Sequence, residues 1–195
     1  MDVISNSAAR YVRLREEEMS LDEYLALCQR DPMAYASAAQ RMLSVIGEPE
    51  MVDTRNDPSL SRLFANKVIR RYPAFSEFYG MEDAIEQVVS FFRHAAQGLE
   101  ERKQILYLLG PVGGGKSSIA ERLKYLMQKA PFYALKGSPV NESPLGLFDP
   151  VEDGPVLEEE FGIPRRSLQH ILSPWAVKRL EEFGGDIRQF RVVKR

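Results

Sequence analysis

The sequence has a single cysteine, Cys28, and two histidines, His94 and His170. One thiol excludes a disulfide within the chain and suits a reducing cytoplasm. Set in a helical pattern beside Leu25 and Leu27, Cys28 reads as a packing residue and not as a nucleophile. Two isolated histidines support neither a zinc cluster nor a nucleophile–histidine pair. No apolar run approaches 18 residues, so no transmembrane span is expected. The first residues include Asp2 and Arg10 and show no apolar h-region, so no secretory signal is visible. A charge excess is also lacking: 26 Lys+Arg against 28 Asp+Glu leaves −2, which gives no general attraction to nucleic acid or anionic membrane. The H-R-D and D-F-G signatures of eukaryotic-type kinases are absent. What remains is an ordinary globular composition, 44% hydrophobic and 28% charged over 195 residues, enough for one large domain or a domain with a helical extension.

One stretch, residues 104–129, carries chemistry. Ile105-Leu106-Tyr107-Leu108-Leu109 is a short continuous apolar run of the kind a strand buried on both faces shows. Gly110-Pro111-Val112-Gly113-Gly114-Gly115-Lys116-Ser117 follows, and from Ser118 to Lys129 the apolar residues Ile119, Leu123, Leu126 and Met127 recur on one helical face. Strand, glycine loop and helix in that order are the context a G-x-x-x-x-G-K-[ST] match requires. Backbone N–H groups must converge on phosphate oxygens, so the path has to be tight and nearly free of side chains. Gly110, Gly113, Gly114 and Gly115 supply that path, and Pro111 stiffens it. The helix N-terminus adds unpaired N–H groups and a positive dipole end. Lys116 is expected on the β- and γ-phosphates, the Ser117 hydroxyl on Mg²⁺, and Ser118 as a further phosphate contact. The plain alternative is a glycine-rich turn with a capping serine. The expected ligand is a nucleoside triphosphate.

Around this stretch, residues 1 to about 47 read as helices. Ser20 and Glu23 have capping-box spacing, Asp31-Pro32 reads as an N-cap with proline at the first helical position, and Met33–Ile46 reads as a helix closed by Gly47 and Pro49. These helices form either a cap on the core or a docking surface. Met51–Thr54 is a short extended piece, and Asp57-Pro58 starts a turn or helix carrying Leu60, Leu63, Phe64, Val68 and Ile69. Arg62, Lys67, Arg70 and Arg71 give four cations with no acid between them, either a solvated face or a contact to phosphates, RNA or a neighbouring subunit. Tyr72-Pro73 marks a boundary. Ala84, Ile85, Val88, Val89 and Phe92 then define a helix that Gly98 stops. Phe78-Tyr79-Gly80-Met81, just upstream, would either hold a purine ring or pack between helices. Ser173-Pro174 caps a helix that Gly184-Gly185 ends, and Phe190–Lys194 opens a strand before the sequence stops at Arg195. That ending reads as a fragment or a truncated frame.

Several of these segments resemble the amino-terminal AAA-type domain of the PrkA family of bacterial serine protein kinases. They are Tyr79-Gly80-Met81-Glu82-Asp83-Ala84-Ile85-Glu86-Gln87, the run from Leu108 to Ser118, Ser173-Pro174-Trp175-Ala176, Phe183-Gly184-Gly185-Asp186, Asp31-Pro32 and Arg71-Tyr72-Pro73-Ala74-Phe75. The resemblance implies an AAA+ nucleotide fold, ATP with Mg²⁺, Tyr79, Gly80 and Met81 as the adenine wall, and phosphorylation of protein serines, often under stress. Some members of that family are discussed instead as ATP-dependent proteases.

One part of an AAA-type ATPase is not found: four apolar residues ending in Asp-Glu, which position the metal and the attacking water. Leu145–Asp149 is interrupted by Gly146 and followed by Pro150, and Val156-Leu157-Glu158-Glu159 has too short an apolar lead. Both read as loop and helix-start chemistry on a charge-paired surface. The expectation is therefore an α/β P-loop core of AAA+ type with a parallel sheet, residues 73–195, behind a helical extension, residues 1–72. It would bind ATP and Mg²⁺ and act on a protein substrate, with Lys116 the catalytic lysine and no nucleic-acid or membrane partner. An ATP-driven remodelling or proteolytic module, or a nucleotide-dependent homo-oligomerisation module, stays beside the kinase reading.

Overall fold

A computed structural model describes residues 17–195; the helical reading of residues 1–16 lies outside them. In chain order the elements are β1 (Glu18–Met19), α1 (Leu21–Arg30), α2 (Ala38–Ile46), β2 (Glu50–Asp53), α3 (Pro58–Phe64), β3 (Val68–Arg71), α4 (Glu82–Ala96), α5 (Lys116–Met127), β4 (Tyr133–Leu135), α6 (Gly154–Phe161), α7 (Pro174–Glu182) and β5 (Val192–Lys194), with short 3₁₀ turns between. They divide into two compact units, residues 36–130 and a discontinuous unit of residues up to Tyr35 together with 131–195.

In the discontinuous unit, β5 is the centre of a three-stranded sheet between β1 and β4. Met19 and Leu135 both face Val192, and Glu18 and Ala134 both face Val193. Both valines are fully buried, as Ala134 is, so β5 supplies the spine of this core. Helix α1 covers it with Leu21, Tyr24, Leu25 and Cys28. Its start is the expected capping box: Ser20 N–H donates to Glu23 at 2.7 Å and Glu23 N–H to Ser20 Oγ at 3.2 Å, an arrangement whose loss costs about 1 kcal/mol. Burial pushes the Cys28 thiol up to about 11, which keeps it protonated and inert.

In the unit of residues 36–130, β2 and β3 form a hairpin-like pair in which Val52 faces Ile69. Helices α2, α4 and α5 bury Met42, Ile46, Ile85, Val88, Val89, Ile119, Leu123 and Leu126 together with Tyr72 and Phe75. Tyr72, expected from sequence at a boundary, is 2% exposed inside this core. Its hydroxyl donates to Glu86 at 2.6 Å and accepts from Arg93 at 3.1 Å.

Four expectations are corrected. The fold is mixed α/β, but every strand pair among the described residues is antiparallel, so no parallel sheet is present there. Residues 105–109 form no strand: Ile105, Tyr107 and Leu109 are 90%, 77% and 80% exposed, while Leu106 and Leu108 pack on the core. An apolar run is buried on both faces only where strands flank it on both sides, and no described strand pairs with this one. Finally, Met33–Ile46 is not one helix. Pro32–Tyr35 is a 3₁₀ turn, and α2 restarts with a second capping box, Ser37 with Gln40. Val68 and Ile69 likewise belong to β3 and not to the helix that Asp57 caps.

Candidate functional site

The glycine loop stands at the head of α5, as its motif requires. Gly115 is the N-cap, with no side-chain cap bond. The first N–H groups of α5 therefore stay available to an acceptor. Gly114 N–H closes a turn on the Pro111 carbonyl at 3.1 Å. Lys116 folds back over this turn, its Nζ donating to Gly110 O at 2.7 Å and to Pro111 O at 2.5 Å. The ammonium is thereby held by the mouth of the loop, next to the N–H groups. Ser117 and Ser118 are exposed in the first turn of α5, while Val112 is fully exposed on the loop crown. A cation, a helix N-terminus and two free hydroxyls within one turn of chain can hold a polyphosphate, and the exposed Ser117 hydroxyl suits a hard cation bound to it.

Gly115 shows why the loop is written in glycine. Its φ of +74° lies in the left-handed region, and a Cβ there would meet Met81 Sδ at 2.9 Å. Met81 is half-buried and packs on the same core as α5. Of the three expected base-wall residues, the structure brings Met81 to the loop. Gly80 forms the turn before it at φ +74°, and the Tyr79 ring is 79% exposed.

Beside Gly115 and Ser118 opens a cavity of about 630 Å³, walled by Glu77, Phe78, Glu121, Arg122 and Tyr125. Its size suits a small organic ligand. Arg122 donates to the Ala74 carbonyl at 2.7 Å and lies 3.6 Å from the Glu77 carboxylate. Tyr125 is flanked by Arg122 and Lys129, at 5.4 and 4.4 Å from its ring centroid. Phe78 is braced edge-on by Phe75. The sequence pattern sets Arg122 off the apolar face of α5 and gives neither it nor Tyr125 a role. The spacing of Ser118, Glu121, Arg122 and Tyr125, which puts them on one helical face, was the available signal.

The acids weighed as strand-end candidates are occupied otherwise. Asp149 accepts from Val151 N–H at 2.7 Å and Glu152 N–H at 3.0 Å, closing a turn, and these bonds hold its carboxyl below the usual range. Glu158 lies on α6, 3.5 Å from Arg165. Among the described residues, no group of three or more His, Cys, Asp or Glu side chains could hold a metal ion, and no helix is long and apolar enough to cross a membrane.

Comparison with known proteins gives the chain a family. The family described as the PrkA AAA domain matches residues 19–195. The chain is 63% identical over its whole length to "Serine/threonine kinase YeaG" of Escherichia coli strain K12, of which it covers 31%. It is 34% identical, over 93% of its length, to "ATP-dependent protease PrkA" of Bacillus subtilis strain 168, of which it covers 29%. It thus spans about a third of these relatives. No solved structure matches. A family match across nearly all the described residues, joined to a glycine loop with its lysine in place, leads to one conclusion: the chain belongs to the PrkA AAA domain family.

Proposed function

We propose that this chain is the ATP-binding module of a PrkA-type serine protein kinase, holding ATP with Mg²⁺ at residues 110–118. The observation that carries the reading is Lys116, whose ammonium sits on the Gly110 and Pro111 carbonyls at the head of α5. Phosphate oxygens arriving there would exchange two neutral acceptors for anionic ones, adding ion-pair attraction to bonds the ammonium already makes. The first-turn N–H groups of α5 and the Ser118 hydroxyl would complete the phosphate cradle. Ser117 is the hydroxyl this chain offers to Mg²⁺, which when bound neutralises charge between the β- and γ-phosphates. The nucleoside would extend into the adjoining cavity, with Met81 at its phosphate end and Phe78 and Tyr125 along its walls.

Calorimetric titration with ATP and with inorganic tripolyphosphate tests this. Lys116→Ala should weaken both ligands by about tenfold or more, since a hydrogen bond to a charged group is worth about 1.5–3 kcal/mol. Alanine should leave α5 folded. Tyr125→Ala should weaken ATP several-fold, in keeping with an aromatic contact of about 0.5–1.5 kcal/mol, and leave tripolyphosphate unchanged. Unaltered ATP affinity in folded Lys116→Ala would remove the assignment.

The Bacillus subtilis relative, named as an ATP-dependent protease, favours a second reading in which ATP drives proteolysis or remodelling with no protein phosphorylated. Transfer of labelled γ-phosphate to protein serine, in the protein of full relative length, separates the two.

A further inference from the structure

We infer that the discontinuous unit carries a second binding site, for an acidic peptide segment with an aromatic or large aliphatic anchor residue. The site is a cavity of about 320 Å³ at the base of α7, distinct from the glycine loop. Trp175, Phe183 and Phe190 line it. Phe190 is the hinge of the group, with its ring 6.3 Å from Trp175 and 5.1 Å from Phe183, both edge-on. Gly137 forms the opposite wall, where a Cβ would come within 3.4 Å of Trp175 Cζ2. The missing side chain leaves the indole edge accessible.

Charge decides the occupant. Lys136, Arg179 and Arg191 stand at the rim, and no carboxylate lines the cavity. Glu18 holds Lys136 at 2.5 Å and Glu182 holds Arg179 at 2.8 Å. Arg191 is exposed and forms no ion pair among the described residues. An apolar floor under a cationic rim, whose Arg191 guanidinium feels the Glu23 carboxylate only from beyond ion-pair distance, complements an anchor side chain flanked by carboxylates. The aromatic floor, with its edge-on rings, gives an anchor side chain apolar surface to bury, as peptide hot spots do.

The walls are also fixed in advance. The Glu142 carboxylate accepts from Ser173 N–H at 2.6 Å, Ser173 Oγ at 2.8 Å and Ser138 Oγ at 3.0 Å. It thus clamps the turn containing Gly137 to the start of α7, which bears Trp175. Ser138 is 7% exposed, so this clamp is an interior feature of the unit. A site held by such supporting bonds loses little order when it is filled.

The tryptophan makes the test direct, because Trp175 is the one tryptophan in the chain. The probe is the blocked peptide Glu-Asp-Leu-Asp-Glu, titrated while tryptophan emission is followed. Parallel titrations use a Lys-Lys-Leu-Lys-Lys counterpart, Glu-Asp-Gly-Asp-Glu and oligo-dT. Saturable change with the first peptide is expected, at least tenfold weaker binding for each peptide control, and at least tenfold loss in Arg191→Glu. Affinity should also fall as salt rises. Absence of a saturable change in the wild-type chain overturns the site. An equal response in folded Arg191→Glu, or to the lysine peptide, overturns the role of the rim. Tighter binding of oligo-dT overturns the occupant. Because the lysine loop lies in the other unit, Lys116→Ala should bind the peptide as the wild type does, so failure of this proposal and of ATP binding can be told apart.

Discussion

Met81 Sδ lies where a side chain at Gly115 would begin, 2.9 Å from the position its Cβ would take. The residue before α4 and the N-cap of α5 are therefore fitted to one another, and the loop depends on a partner more than 30 positions earlier in sequence. Gly115→Ala should weaken ATP binding and lower stability on two counts. The left-handed backbone costs an L-residue about 1–2 kcal/mol, and the methyl must displace the thioether. Met81→Ala should relieve the second cost and leave the first. A double-mutant cycle on melting temperature should show favourable coupling; strict additivity would mean that the contact carries no energy.

At Gly80 the outcome differs from simple crowding of a base. A Cβ there would lie 3.6 Å from Leu63 Cδ1, ordinary contact, but the φ is +74°. Gly80→Ala should therefore cost stability, by about 1 kcal/mol. ATP and tripolyphosphate affinity should change together, by whatever fraction the fold loosens. Selective loss of ATP, at unchanged melting temperature, would instead place Gly80 against the base.

The Tyr72–Glu86 pair sets a pH dependence. Burial acts to raise the Glu86 carboxyl, but hydrogen bonds from Tyr72 and Arg70, with Arg93 nearby, outweigh it and hold the group below its ordinary 4.5. A depressed carboxyl contributes stability above its unfolded pKa and loses it as pH falls through the lower folded value. Tyr72→Phe should thus cost about 1–2 kcal/mol near neutrality, the low end reflecting a carboxylate that is a quarter exposed. The difference from wild type should shrink below about pH 4.5. Denaturant midpoints at pH 7 and pH 3.5 would show this, and an identical deficit at both would refute it.

Turnover by this chain alone should stay near background with saturating MgATP. No apolar strand among residues 17–195 ends in paired acids, and Asp149 and Glu158 are committed to a turn and to Arg165. Phosphoryl transfer rests almost wholly on positioning and charge stabilisation, so a chain without a placed acid for the metal and the water should be slow. Phosphate release, with Lys116→Ala as the blank, measures it. Robust release by the wild-type chain would show that one of these acids does serve.

Local signals were legible in sequence where they are self-contained. The Ser20–Glu23 box, the helix after Lys116, the stop at Gly98 and the cap at Ser173 each depend on residues within one or two turns. Signals that depend on distant partners were not. Val68–Arg71 is a strand because β2 lies beside it, and a short apolar pair fits either period. The apolar pattern of Ile105–Leu109 points to burial although Ile105, Tyr107 and Leu109 are exposed, because it reports hydrophobicity and not which strands are there to cover it. For the site, the glycine loop was legible because its composition is dictated by its path. The Arg122–Tyr125 wall was not, since a polar helix face looks the same whether it meets solvent or a cavity.

The sheet in which β5 joins β1 to β4 has a consequence for synthesis. Its pairing brings Glu18 and Met19 to Val193 and Val192, so the earliest and latest described strands must meet before that core can close. Residues 36–130 need nothing from either end to complete their own core. On a ribosome, the inner unit can therefore fold while the outer one still waits for its central strand. Until residues 135–168 and then β5 follow, Leu21, Tyr24 and Leu25 of α1 lack partners of their core, which makes α1 a point where chaperone engagement or aggregation would begin.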